Sequence, residues 1–140
     1  MGKLTKLTPP TFDPESGTIL EIINSGKSSI ISSKDLRKSI SSWDSDINEV
    51  KELESRFTEF YFNRKKPYLS KYLPYRNNRK NVFGKSKYAI DNNAIFFSLE
   101  FENMVHESWV NSVHLELRYK ILQGKIIEML SILETEINNY

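Results

Sequence analysis

Residues 33–62 decide the fold, and they read SKDLRKSISSWDSDINEVKELESRFTEFYF. Apolar residues recur there at alternating steps of four and three, the spacing that keeps one side of an α-helix against a partner. They are Leu36, Ile40, Trp43, Ile47, Val50, Leu53 or Glu54, Phe57, and Phe60 or Tyr61. Glu54 is the residue of wrong polarity on this stripe. A helix of about 30 residues is roughly 45 Å long, so another long helix must lie beside it.

The second long helix is predicted over residues 98–137. Ser98 followed by Glu100 and Glu102 is typical of a helix start, where the helix dipole favours carboxylates. Two apolar stripes follow, and two stripes predict contact on two sides. The first contains Phe101, Val105, Trp109, Val113, Leu117 and Ile121, and the second contains Leu115, Tyr119, Leu122, Ile126, Leu130, Leu133 and Ile137. Gly124 costs about 1 kcal/mol of helix propensity, which a close crossing by a neighbour would explain.

The sequence therefore predicts an all-α fold, an antiparallel helical bundle built on helices 33–63 and 98–137. A chain of 140 residues fits one helical domain. Residues 1–15, which are rich in proline, are predicted to form an extended lead-in. Phe12 is the side chain expected to attach this lead-in to the helices.

The shorter elements follow from capping and turn residues. Ser16 is predicted to cap a helix over residues 17–24, with Gly26 as its left-handed C-terminal cap. Residues 27–32 are interpreted as a buried connector, and Ser33 as the cap of the first long helix. Asn92 or Asn93 is expected to cap a short apolar turn.

Three features of the middle of the chain stay open. Weak helix formers beside Trp43 allow either an unbroken helix or a break there. Pro67 either ends the helix or restarts it for the turns up to Leu73. Residues 74–93 form a basic, turn-rich connection that is either partly helical or functional.

The chain lacks residues that several classes of protein require. Cysteine is absent, which excludes disulfides, zinc–thiolate sites and thiol nucleophiles. No clustered glycines form a nucleotide cradle, and no apolar run approaches the length of a membrane span. His106-Glu107 on a helix lacks the second histidine of a metalloprotease, because the next histidine is His114. We expect no catalytic, metal or cofactor site and interpret both histidines as ordinary surface or half-buried residues.

The distinctive constellation is a basic segment. Between residues 64 and 87 there are nine bases and no acid, while the rest of the chain carries a net charge of −7. The bases, which are candidate anion-binding residues, are Arg64, Lys65, Lys66, Lys71, Arg76, Arg79, Lys80, Lys85 and Lys87. Tyr68, Tyr72, Tyr75, Phe83 and Tyr88 are interleaved with them.

Two interpretations of this segment compete. Bases with aromatic residues bind nucleic acid through phosphate contacts and stacking, or anionic lipid headgroups beside a membrane. Alternatively, the aromatic residues anchor a long connection while the basic stems extend to water. The second interpretation is favoured, since Tyr68, Tyr72 and Tyr75 fit one buried helical face. Trp43 and Trp109 both lie on apolar stripes and are predicted to be core residues.

Part of the chain resembles an uncharacterised bacterial family typical of flavobacteria. The residues that carry the resemblance are Asn24-Ser25-Gly26, Ile31-Ser32, Lys34, Leu36-Arg37, Ile40 and Trp43, followed by Leu99, Phe101, Glu102 and Asn103. The resemblance covers roughly residues 15–137, and Ser28 and Ser29 depart from it. It implies a soluble helical domain after an N-terminal membrane helix, on the extracytoplasmic side by the positive-inside rule. It implies no reaction, cofactor or catalytic residue.

The function expected from these observations is a non-catalytic interaction or structural module, the extracytoplasmic part of a membrane-anchored protein. The alternative is polyanion binding through residues 64–87. Apolar residues that we expect to be left exposed, namely Met104, Val110 and Met129, predict a protein partner, self-association or packing on an upstream helix.

Overall fold

The computed structural model describes residues 11–139, apart from the side chains of residues 78–81 and 92. Within that range every regular element is a helix, so the fold is all-α. The α-helices are α1 (Gly17–Asn24), α2 (Lys34–Phe60), α3 (Lys66–Tyr72), α4 (Lys80–Phe83), α5 (Asn92–Phe96) and α6 (Leu99–Asn138). Lys27–Ile30 and Tyr75–Arg79 form 3₁₀ turns, and Tyr61–Lys65 forms a π-helical turn.

The described chain forms two compact units. The terminal unit contains residues 11–53 and 114–139, and the central unit contains Glu54–Val113. The two long helices contribute to both units. A single domain over residues 1–140 stays a prediction, and the first ten residues of the predicted lead-in lie outside the described part.

The terminal unit has its core between α2 and α6. The buried residues are Leu36, Ile40, Trp43, Ile47 and Val50 of α2 with Leu115, Leu122 and Met129 of α6. They confirm the stripe predicted for the first long helix. Aliphatic residues of α1 and the ring of Phe12 are half-buried against this core, and Phe12 lies edge-on to Tyr119 with ring centroids 6.3 Å apart. Phe12 therefore docks the segment that precedes α1, as predicted.

Polar contacts join α2 and α6 at the margins of this core. Arg118 Nη2 lies 2.5 Å from Glu49 Oε2, and Lys125 pairs with Asp46 and donates to Ser42 Oγ. The backbone N–H of Ser33 donates to Glu136 Oε1 at 2.8 Å. Because each contact joins one position of α2, or its cap Ser33, to one position of α6, together they set the register between the two helices in this unit.

The helix α2 begins where its cap was predicted. Ser33 Oγ accepts a hydrogen bond from the N–H of Leu36 at 3.2 Å, and the helix continues through Trp43 without a break. The α1 prediction is correct in its bounds and in the left-handed Gly26, at φ 68°. Ser16 occupies the N-cap position, as predicted, and its carbonyl accepts from the N–H of Leu20 at 2.9 Å. Its side chain makes no capping hydrogen bond and instead accepts from Trp43 Nε1 at 3.1 Å.

The central unit is built where α2 passes through the π-helical turn into α3. Its buried apolar residues are Phe60, Tyr68, Leu69, Ile95 and Met104. Pro67 lies in the first turn of α3, where its missing N–H costs little, so it does not end the helical path. Tyr68 donates from its hydroxyl to the carbonyl of Ile95 at 2.6 Å and lies 2.9 Å from Ser98 Oγ. Tyr68 thus ties α3 to the segment that leads into α6.

Two local predictions need correction. Residues 27–32 are not a buried connector, because Ile30 is exposed and only Ile31 packs against the core. The cap of α5 is Asp91 and not Asn92 or Asn93: its Oδ1 accepts from the N–H groups of Asn93 and Ala94. An aspartate is a strong N-cap whose charge suits the helix start.

The helix α6 places its residues differently from the prediction. Met104 and Met129 are buried, so the prediction that their side chains are exposed is wrong. Trp109 is 62% exposed, so its prediction as a core residue is wrong. Five residues rotate a helix by about 140°, which carries Trp109 away from the side on which Met104 packs. None of the described helices is both long enough and apolar enough to cross a membrane.

Candidate functional site

Two of the nine predicted anion-binding bases are paired with acids of α6. Arg64 Nη1 lies 2.7 Å from Glu107 Oε1, and Lys71 Nζ lies 3.7 Å from Glu100 Oε1. Both pairs border an open cleft of about 260 Å³ beside Tyr68. Because each base there has a carboxylate partner, the cleft is electrically balanced and is a poor site for an anion.

A third base, Lys65, is withdrawn from solvent. It lies in the π-helical turn on the buried side of the helical path and is 8% exposed. Desolvation lowers the pKa of its ammonium group from 10.5. We therefore infer that Lys65 destabilises the central unit and does not bind an anion.

Replacing Lys65 with methionine is expected to raise the free energy of unfolding by about 1 kcal/mol at neutral pH, because an apolar side chain of similar length avoids desolvating a charge. The native pKa lies below the unfolded value of 10.5, so the unfolded chain binds more protons between these two values. Wild-type stability therefore rises with pH across that window, and the advantage of the variant shrinks. Urea unfolding at several pH values measures this.

The matched control for that experiment is Lys85→Met, since Lys85 is exposed. It should leave stability within about 0.5 kcal/mol of wild type. A Lys65→Met protein that is less stable than wild type at neutral pH would contradict the burial argument.

The remaining described bases are exposed. Lys66 Nζ lies 5.2 Å from the centroid of the Phe62 ring, and Lys87 Nζ lies 5.3 Å from that of Tyr88. Lys85 and Arg76 are also exposed. The side chains of Arg79 and Lys80 lie outside the described part. The structure thus divides the predicted set into paired, buried and solvent-facing bases.

Residues 82–90, which we name the basic loop, comprise the end of α4 and the segment after it. They are held by hydrogen bonds to the preceding 3₁₀ turn. Arg76 Nε donates to the carbonyl of Phe83, and the N–H of Ser86 donates to Asn77 Oδ1 at 2.8 Å. Between these points Gly84 has φ 71°, a left-handed conformation that glycine adopts without strain. The loop is therefore fixed at both Phe83 and Ser86.

The turn that holds the basic loop is itself anchored on α3. The hydroxyl of Tyr75 donates to the carbonyl of Lys66 at 2.9 Å. Burial, and after it the nearby Tyr61, raises the pKa of Tyr75 from 10.0. A tyrosine hydroxyl with an ordinary pKa is already protonated at neutral pH, and the upward shift extends the pH range over which Tyr75 remains a hydrogen-bond donor.

The aromatic residues of the basic segment do not act alike. Tyr68 is buried and Tyr72 and Tyr75 are half-buried, so these three anchor the connection as predicted. Phe83 and Tyr88 are exposed, which contradicts the same prediction for them. The three do not share one helical face, because α3 ends at Tyr72 and Tyr75 lies in the 3₁₀ turn after Pro74. Phe83 and Tyr88 lie beyond that turn.

A second exposed region lies on the part of α6 that belongs to the terminal unit. Leu117, Ile121 and Ile127 are exposed. At 100° per residue, Leu117, Gly124 and Ile127 lie on the side of α6 opposite to Leu122. Ile121 lies at the edge of that side, where it borders Asp46 and Glu49 of α2. We name these four positions the outer face. A Cβ atom added at Gly124 would have no neighbour within 4 Å, so the predicted close crossing at Gly124 does not occur in the described chain.

The described residues offer no metal site: within residues 11–139 no group of three or more His, Asp or Glu side chains is placed to hold an ion. The ring of His106 lies 6.3 Å from that of Trp109, centroid to centroid, on an exposed part of α6.

Comparison of the chain with protein-family models, with curated proteins and with solved structures gives no match. The bacterial family that the sequence resembles therefore stays a prediction.

Proposed function

We propose that this protein is a non-catalytic interaction and structural module, an antiparallel helical bundle on α2 and α6 that self-associates through the outer face. The observation that carries the proposal is the exposure of Leu117, Ile121 and Ile127 on a helix whose opposite side already packs in a core. A helix that is apolar on both sides is typical of one buried between two neighbours.

Gly124 supports close packing at this face. A glycine in a helix interior costs about 1 kcal/mol relative to alanine, and no contact within the described chain offsets that cost. Small residues let a second helix approach closely, so a partner helix that crosses at Gly124 would explain the residue.

Charge supports a second copy as the partner. Lys120 lies on the outer face between Leu117 and Gly124, and Glu116 lies at its edge. The two are paired at 2.7 Å, and the pairing lowers the pKa of Glu116. When two copies of α6 run antiparallel about a two-fold axis between these positions, Glu116 of each copy faces Lys120 of the other. An isologous interface requires such self-complementarity.

The test is light scattering coupled to size-exclusion chromatography over a range of protein concentrations. Wild type is expected to form a dimer, and Leu117→Glu is expected to raise the dissociation constant roughly tenfold or more by placing an unpaired charge in the interface. Ile30→Glu is the matched control, because Ile30 is equally apolar, exposed and distant in sequence. A wild-type chain that stays monomeric at every concentration would refute self-association.

The resemblance to a membrane-anchored bacterial family supports a location for this module on the extracytoplasmic side of the inner membrane. The gene sequence upstream of Met1 tests that part separately, since an apolar segment of about 20 residues is required there.

A further inference from the structure

We propose that the basic loop binds the surface of an anionic lipid bilayer. This site lies in the central unit and is independent of the outer face of α6. It combines exposed cations with exposed apolar side chains on a loop whose backbone is held in place.

The charge of the basic loop has one sign. No aspartate or glutamate occurs from residue 60 to residue 90, and within the loop Lys85 and Lys87 are exposed. Lys66, outside the loop, is exposed as well. Anionic lipids create a negative surface potential that attracts such lysines. Each lysine near the surface raises the affinity for the membrane about fivefold.

The apolar side chains of the loop indicate contact with lipid. Val82 is 74% exposed and Tyr88 is 70% exposed, while Phe83 and Ile90 are also exposed. Aromatic side chains prefer the headgroup region of a bilayer, and apolar side chains beside lysines are typical of interfacial binding segments. Nucleic-acid stacking would use Phe83 and Tyr88 but would leave the aliphatic Val82 and Ile90 without a role.

The hydrogen bonds of the loop favour a preformed site. Because Phe83 and Ser86 are both held to the preceding turn, the loop keeps its course between them. A preformed site loses less conformational entropy on binding than a disordered segment would.

The experiment is co-sedimentation of the full chain with phosphatidylcholine vesicles that contain or lack phosphatidylserine, at low and high salt. We expect binding that requires phosphatidylserine and weakens with salt. Lys85→Gln with Lys87→Gln should reduce the partition coefficient about 25-fold at low salt. The matched control is Lys34→Gln with Lys38→Gln, since both lysines are exposed on α2, and this control should bind like wild type.

Insertion has its own readout, because the chain contains no cysteine. A polarity-sensitive fluorophore on Val82→Cys should shift to the blue when vesicles with phosphatidylserine are added, and the same label on Ile30→Cys should not. Both residues are exposed in the free protein, so the comparison isolates the loop.

Three results would overturn the proposal. They are no co-sedimentation at low salt, equal binding by the loop variant and its control, and binding of single-stranded oligonucleotide without binding of vesicles. The third would assign the loop to nucleic acid. A dimer that fails to bind vesicles would refute lipid binding while leaving self-association standing.

Discussion

Trp43→Ala is expected to lower the free energy of unfolding by about 3–5 kcal/mol, the range for removing a large aromatic side chain from a core. Trp43 is 6% exposed and lies among the buried residues of α2 and α6 in the terminal unit. Its Nε1 donates to Ser16 Oγ, so the substitution also frees the segment before α1. Urea unfolding followed by far-ultraviolet circular dichroism measures the change without relying on tryptophan fluorescence.

Trp109→Ala is the matched control within the same chain. Because Trp109 is largely exposed, this substitution should change stability by about 0.5 kcal/mol or less. Ser16→Ala adds an intermediate case, a loss of about 1 kcal/mol, since it removes the acceptor of a partly buried N–H. Equal losses for the two tryptophan variants would contradict the described packing of α2 and α6.

The two tryptophans also show what periodicity can predict. On α2 the apolar residues follow a single stripe, so the side that carries Trp43 is the side that packs, and that prediction is confirmed. On α6 apolar residues occur on two sides. Periodicity then predicts that both sides are suited to contact, but it does not predict which side has a neighbour. In the central unit Trp109 lies on a side that has no packed neighbour among the described residues.

The sequence predicts which bases the candidate site contains, but it does not predict which of them are free to bind an anion. Nine bases could be counted from the sequence, but the acids that pair with Arg64 and Lys71 are Glu107 and Glu100 of α6. These partners are distant in sequence and become neighbours only through folding. Lys65 is likewise buried, at the end of the π-helical turn, and counting bases does not predict the burial of one of them.

The basic loop shows a different limit. Its fixed points use Arg76 as a donor to a carbonyl and Asn77 as an acceptor from an N–H, roles that charge counting cannot foresee. The local sequence does indicate the left-handed turn at Gly84, because glycine favours that conformation. The exposure of Phe83 and Tyr88 follows from this course of the backbone, since the helical spacing that buries Tyr68 has ended.

Tyr68→Ala is expected to lower the free energy of unfolding of the central unit by about 3–5 kcal/mol. Tyr68 is 2% exposed, and its ring lies 5.1 Å from that of Tyr72 and 6.2 Å from that of Phe101, centroid to centroid. Tyr68→Phe should cost about 1 kcal/mol, because it keeps the ring and leaves the carbonyl of Ile95 without its donor. Hydrogen exchange of the amides in α3 and α5, with urea unfolding, measures both.

Tyr88→Ala is the control, and its expected effects are reversed. The exposed Tyr88 contributes little to folding, so stability should stay within about 0.5 kcal/mol of wild type, while vesicle binding should weaken. Tyr68→Phe should retain vesicle binding, because the ring still supports α3 and the turn that holds the basic loop. If Tyr88→Ala destabilised the protein as much as Tyr68→Ala, the loop would be part of the core and its proposed contact with lipid would be wrong.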